Sequence, residues 1–211
     1  MAEPGAPRAP RWARSIPVVV LVIAIGSVLV ARAAGDEGAA DASRAPDTAA
    51  PPADAVEIEA SGPRFGDLDE LIAASDLIVR GRTVATERGR WFGDGVEGPR
   101  LQSRLVTIEV DQVLAGTAEA GERILVEEEG WLEDGAAVIV AGAAPSQAGD
   151  RAIWFLADAG DPTTDVWIVV NEQGRYLEVD GALAGADTED PLIAALEART
   201  PDALADAIAA R

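Results

Sequence analysis

Within Leu105 to Val113 apolar and polar side chains alternate strictly from Val106 to Asp111: Val106, Ile108 and Val110 point one way, Thr107, Glu109 and Asp111 the other. Period-two patterning of that length specifies a strand with one buried face. The same reading places strands at Leu77–Thr86, Arg123–Glu127, Ala137–Ala141, Ala152–Ala157, Val166–Val170 and Tyr176–Val179, with Asn171–Gly174 joining the last two as a hairpin. In the first of these, Leu77, Val79, Gly81 and Thr83 share one face. Trp131, Trp154 and Trp167 are each bracketed by strand signals and read as core.

Helical signals stand only at the margins. Asp67 with Glu70 behind it caps a short helix through Ser75, expected to lie across the mouth of the strands. Asp190-Pro191 and Thr200-Pro201 each set a cap residue before a proline at a first helical position, with Leu192, Ile193, Leu196, Leu204 and Ile208 as packing faces. The expected fold is therefore mainly β: a small antiparallel barrel or sandwich with short edge helices, preceded by an N-terminal apolar export or anchor helix.

That N-terminal segment is read from charge and length. Arg8, Arg11 and Arg14 stand in a basic stretch, residues 1–15, expected to stay in the cytoplasm, and an apolar run from Ile16 to Ala31 follows. Residues 16–34 are a signal anchor or a signal peptide. The run is short for a membrane span but is flanked by arginines that snorkel, while Ala31-Arg32-Ala33 has the spacing of a cleavage site. Residues 35–63, rich in Ala, Pro and Asp, read as a disordered linker, residues 64–188 as the β domain and 189–211 as the C-terminal helices. The expected location is the cell membrane, contacted through residues 16–31 with the C-terminal domain outside the cytoplasm, or the exterior after cleavage near Ala33.

Composition removes whole chemistries. The chain has no His, no Cys and no Lys, so imidazole, thiol and amine nucleophiles, thiolate metal sites, disulfides and the P-loop lysine are excluded. Its formal net charge is −20, and residues 64–211 hold 12 Arg against 29 acids. Such a domain repels phosphate backbones, so no nucleic-acid partner is expected. No catalytic residue, cofactor or metal site is expected either: the acidic run Glu127–Glu129 with Glu133 and Asp134 lacks the spacing of a calcium loop.

Ala74-Ser75-Asp76-Leu77-Ile78-Val79-Arg80-Gly81-Arg82, followed by Val106-Thr107-Ile108-Glu109-Val110-Asp111-Gln112-Val113-Leu114-Ala115-Gly116, resembles the netrin-like, OB-type domains of exported proteins and also many exported bacterial proteins of unknown role. The resemblance implies the fold alone, because the metalloprotease inhibitors with this fold act through an N-terminal Cys that this chain lacks. OB-type barrels place a ligand-facing loop between their first two strands. Here that position holds Gly89-Arg90-Trp91-Phe92-Gly93-Asp94-Gly95, so Arg90, Trp91 and Phe92 are the candidate partner-binding residues. Trp91 and Phe92 either anchor a protein or small-molecule partner or fold back as a lid over one end of the strands. The expected role is a binding or assembly module, with a carboxylate-dependent hydrolase or a structural envelope protein as alternatives. If residues 16–31 are a retained anchor, the full-length chain stays with native-host membranes through a carbonate wash. A soluble form beginning near Ala34 establishes cleavage instead.

Overall fold

The computed structural model describes residues 55–58, 63–93, 99–161, 164–186 and 189–211. The apolar run at 16–34, linker residues 35–54 and 59–62, and Asp94 and Gly95 of the glycine-rich stretch lie outside them. No helix among the described residues is long and apolar enough to cross a membrane.

The elements are β1 (Val56–Ile58), α1 (Leu68–Ala73), β2 (Leu77–Phe92), β3 (Leu101–Ala115), β4 (Arg123–Leu132), β5 (Val138–Val140), β6 (Arg151–Asp158), β7 (Val166–Val169), β8 (Arg175–Val179), β9 (Ala182–Ala184), α2 (Pro191–Glu197) and α3 (Pro201–Ala209). The domain is mainly β. Seven strands form one sheet in the order β2-β3-β4-β7-β6-β8-β9, and β2 also pairs with β6. The set β6-β2-β3-β4 is thus a Greek key, a three-strand meander whose first member is rejoined by a later strand. Because β7 stands between β4 and β6, the path of ladders returns to β2.

The sheet is mixed, which corrects the antiparallel expectation. β4 and β7 run parallel from Leu125↔Val166 to Glu127↔Ile168, reached by a long connection through β5 and β6. Val56–Ile58, placed above in the linker, forms β1 and pairs in parallel with β5 from Val56↔Val138 to Ile58↔Val140. β7 and β8 are not a hairpin. Both pair with β6, β7 at Leu156–Asp158 and β8 at Ala152–Trp154, so Asn171–Gly174 is an insertion that interrupts one continuing edge. The true hairpin follows at Asp180-Gly181, both residues at positive φ (51 and 82), which is the backbone a two-residue turn between β8 and β9 requires.

Alternation sorts the apolar side chains into two clusters. Val106, Ile108 and Val110 bury with Leu77, Val79 and Trp154 on the inward face of the ring of ladders. Ile78, Ile153, Phe155 and Tyr176 occupy the opposite face and bury with Leu71 of α1, Ile193 and Leu196 of α2, and Leu204 of α3. α1 therefore packs on the outer side with the other helices rather than across the mouth of the strands, and it ends at Ala73. Trp154 is core and Trp167, half-buried, packs against the same cluster, whereas Trp131 is half-buried and belongs to neither cluster.

The helix starts follow from their caps. Asp67 accepts from Glu70 N–H at 2.9 Å and Glu70 accepts from Gly66 N–H at 2.7 Å. Asp190 accepts from Leu192 N–H at 2.9 Å and from Ile193 N–H at 3.2 Å, and Thr200 accepts from Ala203 N–H. Asp190 also joins a polar clasp: buried Gln173 donates to it at 3.0 Å and bonds the Phe65 backbone in both directions, while Arg64 pairs with it at 3.1 Å. Burial pushes the Asp190 carboxyl up, but the Ile193 N–H, Gln173, the Leu192 N–H and Arg64 outweigh it and hold it below its ordinary value of 3.8. A carboxylate held down in the folded state stabilises above its unfolded pKa, and that contribution is lost as pH falls through the folded value. Asp190→Asn, which keeps a capping side chain, should cost about 1 kcal/mol near neutral pH. In urea melts the difference from wild type should shrink as pH is lowered below 3.8; a gap independent of pH contradicts the clasp.

Candidate functional site

β2, β3 and β4 outrun the ring. β6 pairs with β2 only from Leu77 to Arg82, and β7 pairs with β4 only from Leu125 to Glu127, whereas the β2–β3 ladder continues to Phe92↔Leu101 and the β3–β4 ladder to Leu101↔Leu132. The projecting parts form a three-stranded arm. Gly89 to Phe92, read above as loop, belong to β2 in this arm. Glycine there marks close approach: a Cβ on Gly89 would lie 2.1 Å from Ser103 Oγ, and one on Gly130 would lie 2.6 Å from Gln102 O. Register shifts beside both glycines, between Arg88 and Trp91 and between Gln102 and Ser103, are bulges that re-aim the side chains around them.

Trp91 and Phe92 consequently do not make one patch. Trp91 stands opposite Gln102, which stands opposite Trp131, on the face that continues the inward face of the ring. Phe92 stands opposite Leu101, on the outer face. Each is 39% exposed, so neither is the buried lid weighed above. Each is stacked by a guanidinium: Arg100 lies 5.1 Å from the Trp91 ring centre and Arg90 lies 4.9 Å from that of Phe92.

On the outer face Arg90 is fixed from within. Its Nη2 donates to Glu127 Oε2 at 2.7 Å, its Nε to Oε1 at 3.1 Å and its Nη1 to Asp161 at 2.6 Å. The Glu127 side chain is buried, so this fork is the counter-charge the carboxylate requires. Hydrogen bonding to Glu127 holds the guanidinium above its ordinary pKa against the pull of burial, and Asp161 adds to it. Around the fork lie Leu125 and Ile168, 39% and 38% exposed, with Ile168 directly opposite Glu127 in the β4–β7 ladder. Trp91, Phe92, Leu125 and Ile168 are the large apolar side chains left exposed among the described residues.

The inward face ends in a polar stopper. Ser146, buried between β5 and β6, donates its hydroxyl to Glu128 at 2.7 Å and its N–H to the same carboxylate at 3.3 Å. Arg175 bonds Glu128 at 3.1 Å and also donates to Ser146 Oγ and Ala144 O. Arg104 donates to Ser146 O at 3.4 Å, and Thr83 N–H donates to Asp150 O at 2.8 Å. Residues 144–150 are thereby tied to β2, β3, β4 and β8 and lie across the end of the ring nearest the arm.

The acidic run thus has several fates rather than one solvated face. Glu127 pairs with Arg90, Glu128 with Arg175, and Glu133 with Arg100 at 3.7 Å, while Asp134 accepts from Ala136 N–H at 3.0 Å. Burial pushes the Glu129 carboxyl up, a backbone hydrogen bond offsets part of this, and the charges of Glu128 and Glu127 add to it. Sequence reasoning missed Arg88, Arg100, Arg104 and Trp131 as parts of this arm, because their spacing through two bulges follows no single period.

No family model, no curated protein and no solved structure matches the chain.

Arg90→Ala leaves Glu127 buried without its partner and should cost about 1–3 kcal/mol. Trp91→Ala, which removes a half-exposed ring and one stacked guanidinium, should cost about 1 kcal/mol or less. Chemical denaturation that reverses this order refutes the division of the arm into a structural outer pair and an exposed Trp91.

Proposed function

We propose that the chain is an extracytoplasmic binding or assembly module whose five-strand ring is an OB-type barrel, held at the membrane through residues 16–31 or released by cleavage near Ala33. The Greek key β6-β2-β3-β4, completed by β7, supports the barrel reading, as do the short helices packed against its side. OB-type barrels take ligands on the face of their second and third strands, between the loop after the first strand and the loop before the last. Here those strands are β3 and β4, Trp91 and Phe92 end β2 where the first loop begins, and the second loop carries Asp161.

The observation that carries the proposal is that α1, α2 and α3 cover β2, β6 and β8, while the outer face of β4 and β7 is left with Leu125, Ile168 and the neighbouring Phe92 exposed around a fixed Arg90. An apolar patch rimmed by charge and left bare on an acidic domain is the signature of an interaction surface. Arg90 is saturated by Glu127 and Asp161, so it shapes this face and presents the Phe92 ring rather than reaching for an acidic partner itself. The partner class is a protein or a small molecule with apolar contact area; nucleic acid is not proposed, given 29 acids against 12 Arg in the domain.

The hydrolase alternative would need Glu127 and Glu129 as its pair, with the raised Glu129 carboxyl as acid. It stands second because both oxygens of Glu127 are engaged by Arg90. Photo-crosslinkers placed at positions 92, 125 and 168 in the native envelope should give discrete adducts, and one at exposed Ala198 should not. No adduct from any of the three positions overturns the proposal.

A further inference from the structure

Two guanidinium groups, those of Arg88 and Arg104, share the inward face of the arm, and one carboxylate stands beside them. Arg88 and Arg104 are directly opposed in the β2–β3 ladder, an arrangement that places like charges side by side and destabilises a strand pair. Glu128 is the residue opposite Arg104 on β4, but its carboxylate is committed to Ser146 and Arg175. Most arginines of the domain pair with an acid, yet among the described residues no carboxylate lies within ion-pair distance of Arg88 or Arg104.

Arg104 is the sharper anomaly. Only 8% of it is exposed, its Nε has no hydrogen-bond partner, and its contacts are the Ser146 carbonyl and the Trp131 ring, 4.3 Å from the guanidinium carbon. Burial pulls it below its ordinary pKa, Glu128 offsets part of that, and the charge of Arg175 lowers it further. Arg88 is exposed, lies 4.7 Å from the same ring and donates to Gln102 Oε1 at 2.8 Å. Gln102 is itself held by donating to Gly89 O at 3.2 Å. Ring, amide and carbonyl therefore hold two forked cations in place before any ligand arrives, so binding costs little ordering of side chains.

We propose that Arg88 and Arg104, held by Trp131 and Gln102, form a binding site for a small oxyanion, a phosphate or carboxylate group that supplies the counter-charge these two lack. Arg88 is the accessible fork, and Arg104 is the fixed charge behind it. Trp91, in the row next to Arg88, offers a half-exposed ring beside the anion for the body of the molecule that carries it. The acidic surface elsewhere works against long polyanions and leaves a compact anion as the favoured occupant. The site lies on the face of the arm opposite Phe92, Leu125 and Ile168, so it stands or falls separately from the crosslinking result.

The test is a calorimetric titration of the full chain with inorganic phosphate and with succinate, at ionic strength held constant by chloride, for wild type, Arg88→Gln and Arg199→Gln. Saturable binding of at least one anion is expected, weakened about tenfold or more by Arg88→Gln and unchanged by Arg199→Gln. Preference for phosphate or for succinate assigns the source of the oxyanion. Without ligand, Arg88→Gln should melt no lower than wild type, because it removes a like-charge contact. No saturable binding of either anion, or equal affinity in Arg88→Gln, overturns the site. Tighter binding of an oligothymidylate than of both small anions also overturns it, in favour of a nucleic-acid surface.

Discussion

β6 is the element on which the other layers depend. Its two edges are both paired, to β2 on one side and to β7 and then β8 on the other, and its two faces are both buried. Ala152, Trp154 and Leu156 fill the ring interior while Ile153 and Phe155 lie beneath the helices. A strand buried on both faces reads as the continuous apolar run Ala-Ile-Trp-Phe-Leu-Ala at 152–157, without alternation. Closure of the ring and attachment of α1, α2 and α3 are therefore one constraint, because neither cluster is complete without this strand.

How far the fold was legible follows from where side-chain periodicity is local. β3 was readable because Val106, Ile108 and Val110 face one cluster along its length, and α2 and α3 were readable because Asp190-Pro191 and Thr200-Pro201 carry their caps in sequence. The partnership of β7 and β8 was not. Asn171 to Gly174 has turn composition, and no local signal states that a third strand, β6, serves both flanks. Asp180-Gly181 did carry a two-residue turn signal, which the short Ala182–Ala184 strand made easy to pass over. Arg90, Trp91 and Phe92 stand out by composition, but their division between two faces depends on the bulge between Arg88 and Trp91, which composition does not show.

Charge in this domain is arranged more by pairing than by position along the chain. Acids outnumber arginines so heavily that an arginine generally finds a carboxylate, as Arg80 does with Glu178 at 2.6 Å and Asp202 at 2.7 Å. Those pairs bridge β2 to β8 and to α3, so part of the acidic surface is tied to the fold. Pairs with a solvent-exposed member, such as Arg80–Asp202, contribute little each. Their larger effect is to leave Arg88 and Arg104 conspicuous, two cations directly opposed in one ladder, one of them buried, with no acid among the described residues paired to either.

The arm turns one sequence into two chemically different surfaces. Bulges beside Gly89 and Gly130 set Phe92 and Arg90 on the outer side and Trp91, Gln102 and Trp131 on the inner side. The outer side inherits the exposed apolar residues of β4 and β7, so its central charge has to be neutralised, and the Arg90–Glu127–Asp161 fork does that while joining the arm to the β6–β7 connection. The inner side inherits the polar stopper at the ring end, where Glu128 is already spent on Ser146 and Arg175. A flat arm without bulges would put Arg88 and Arg90 on one face and leave Glu127 buried with no cation to meet it. The two glycines that permit the bulges are therefore as necessary to the charge arrangement as the arginines themselves.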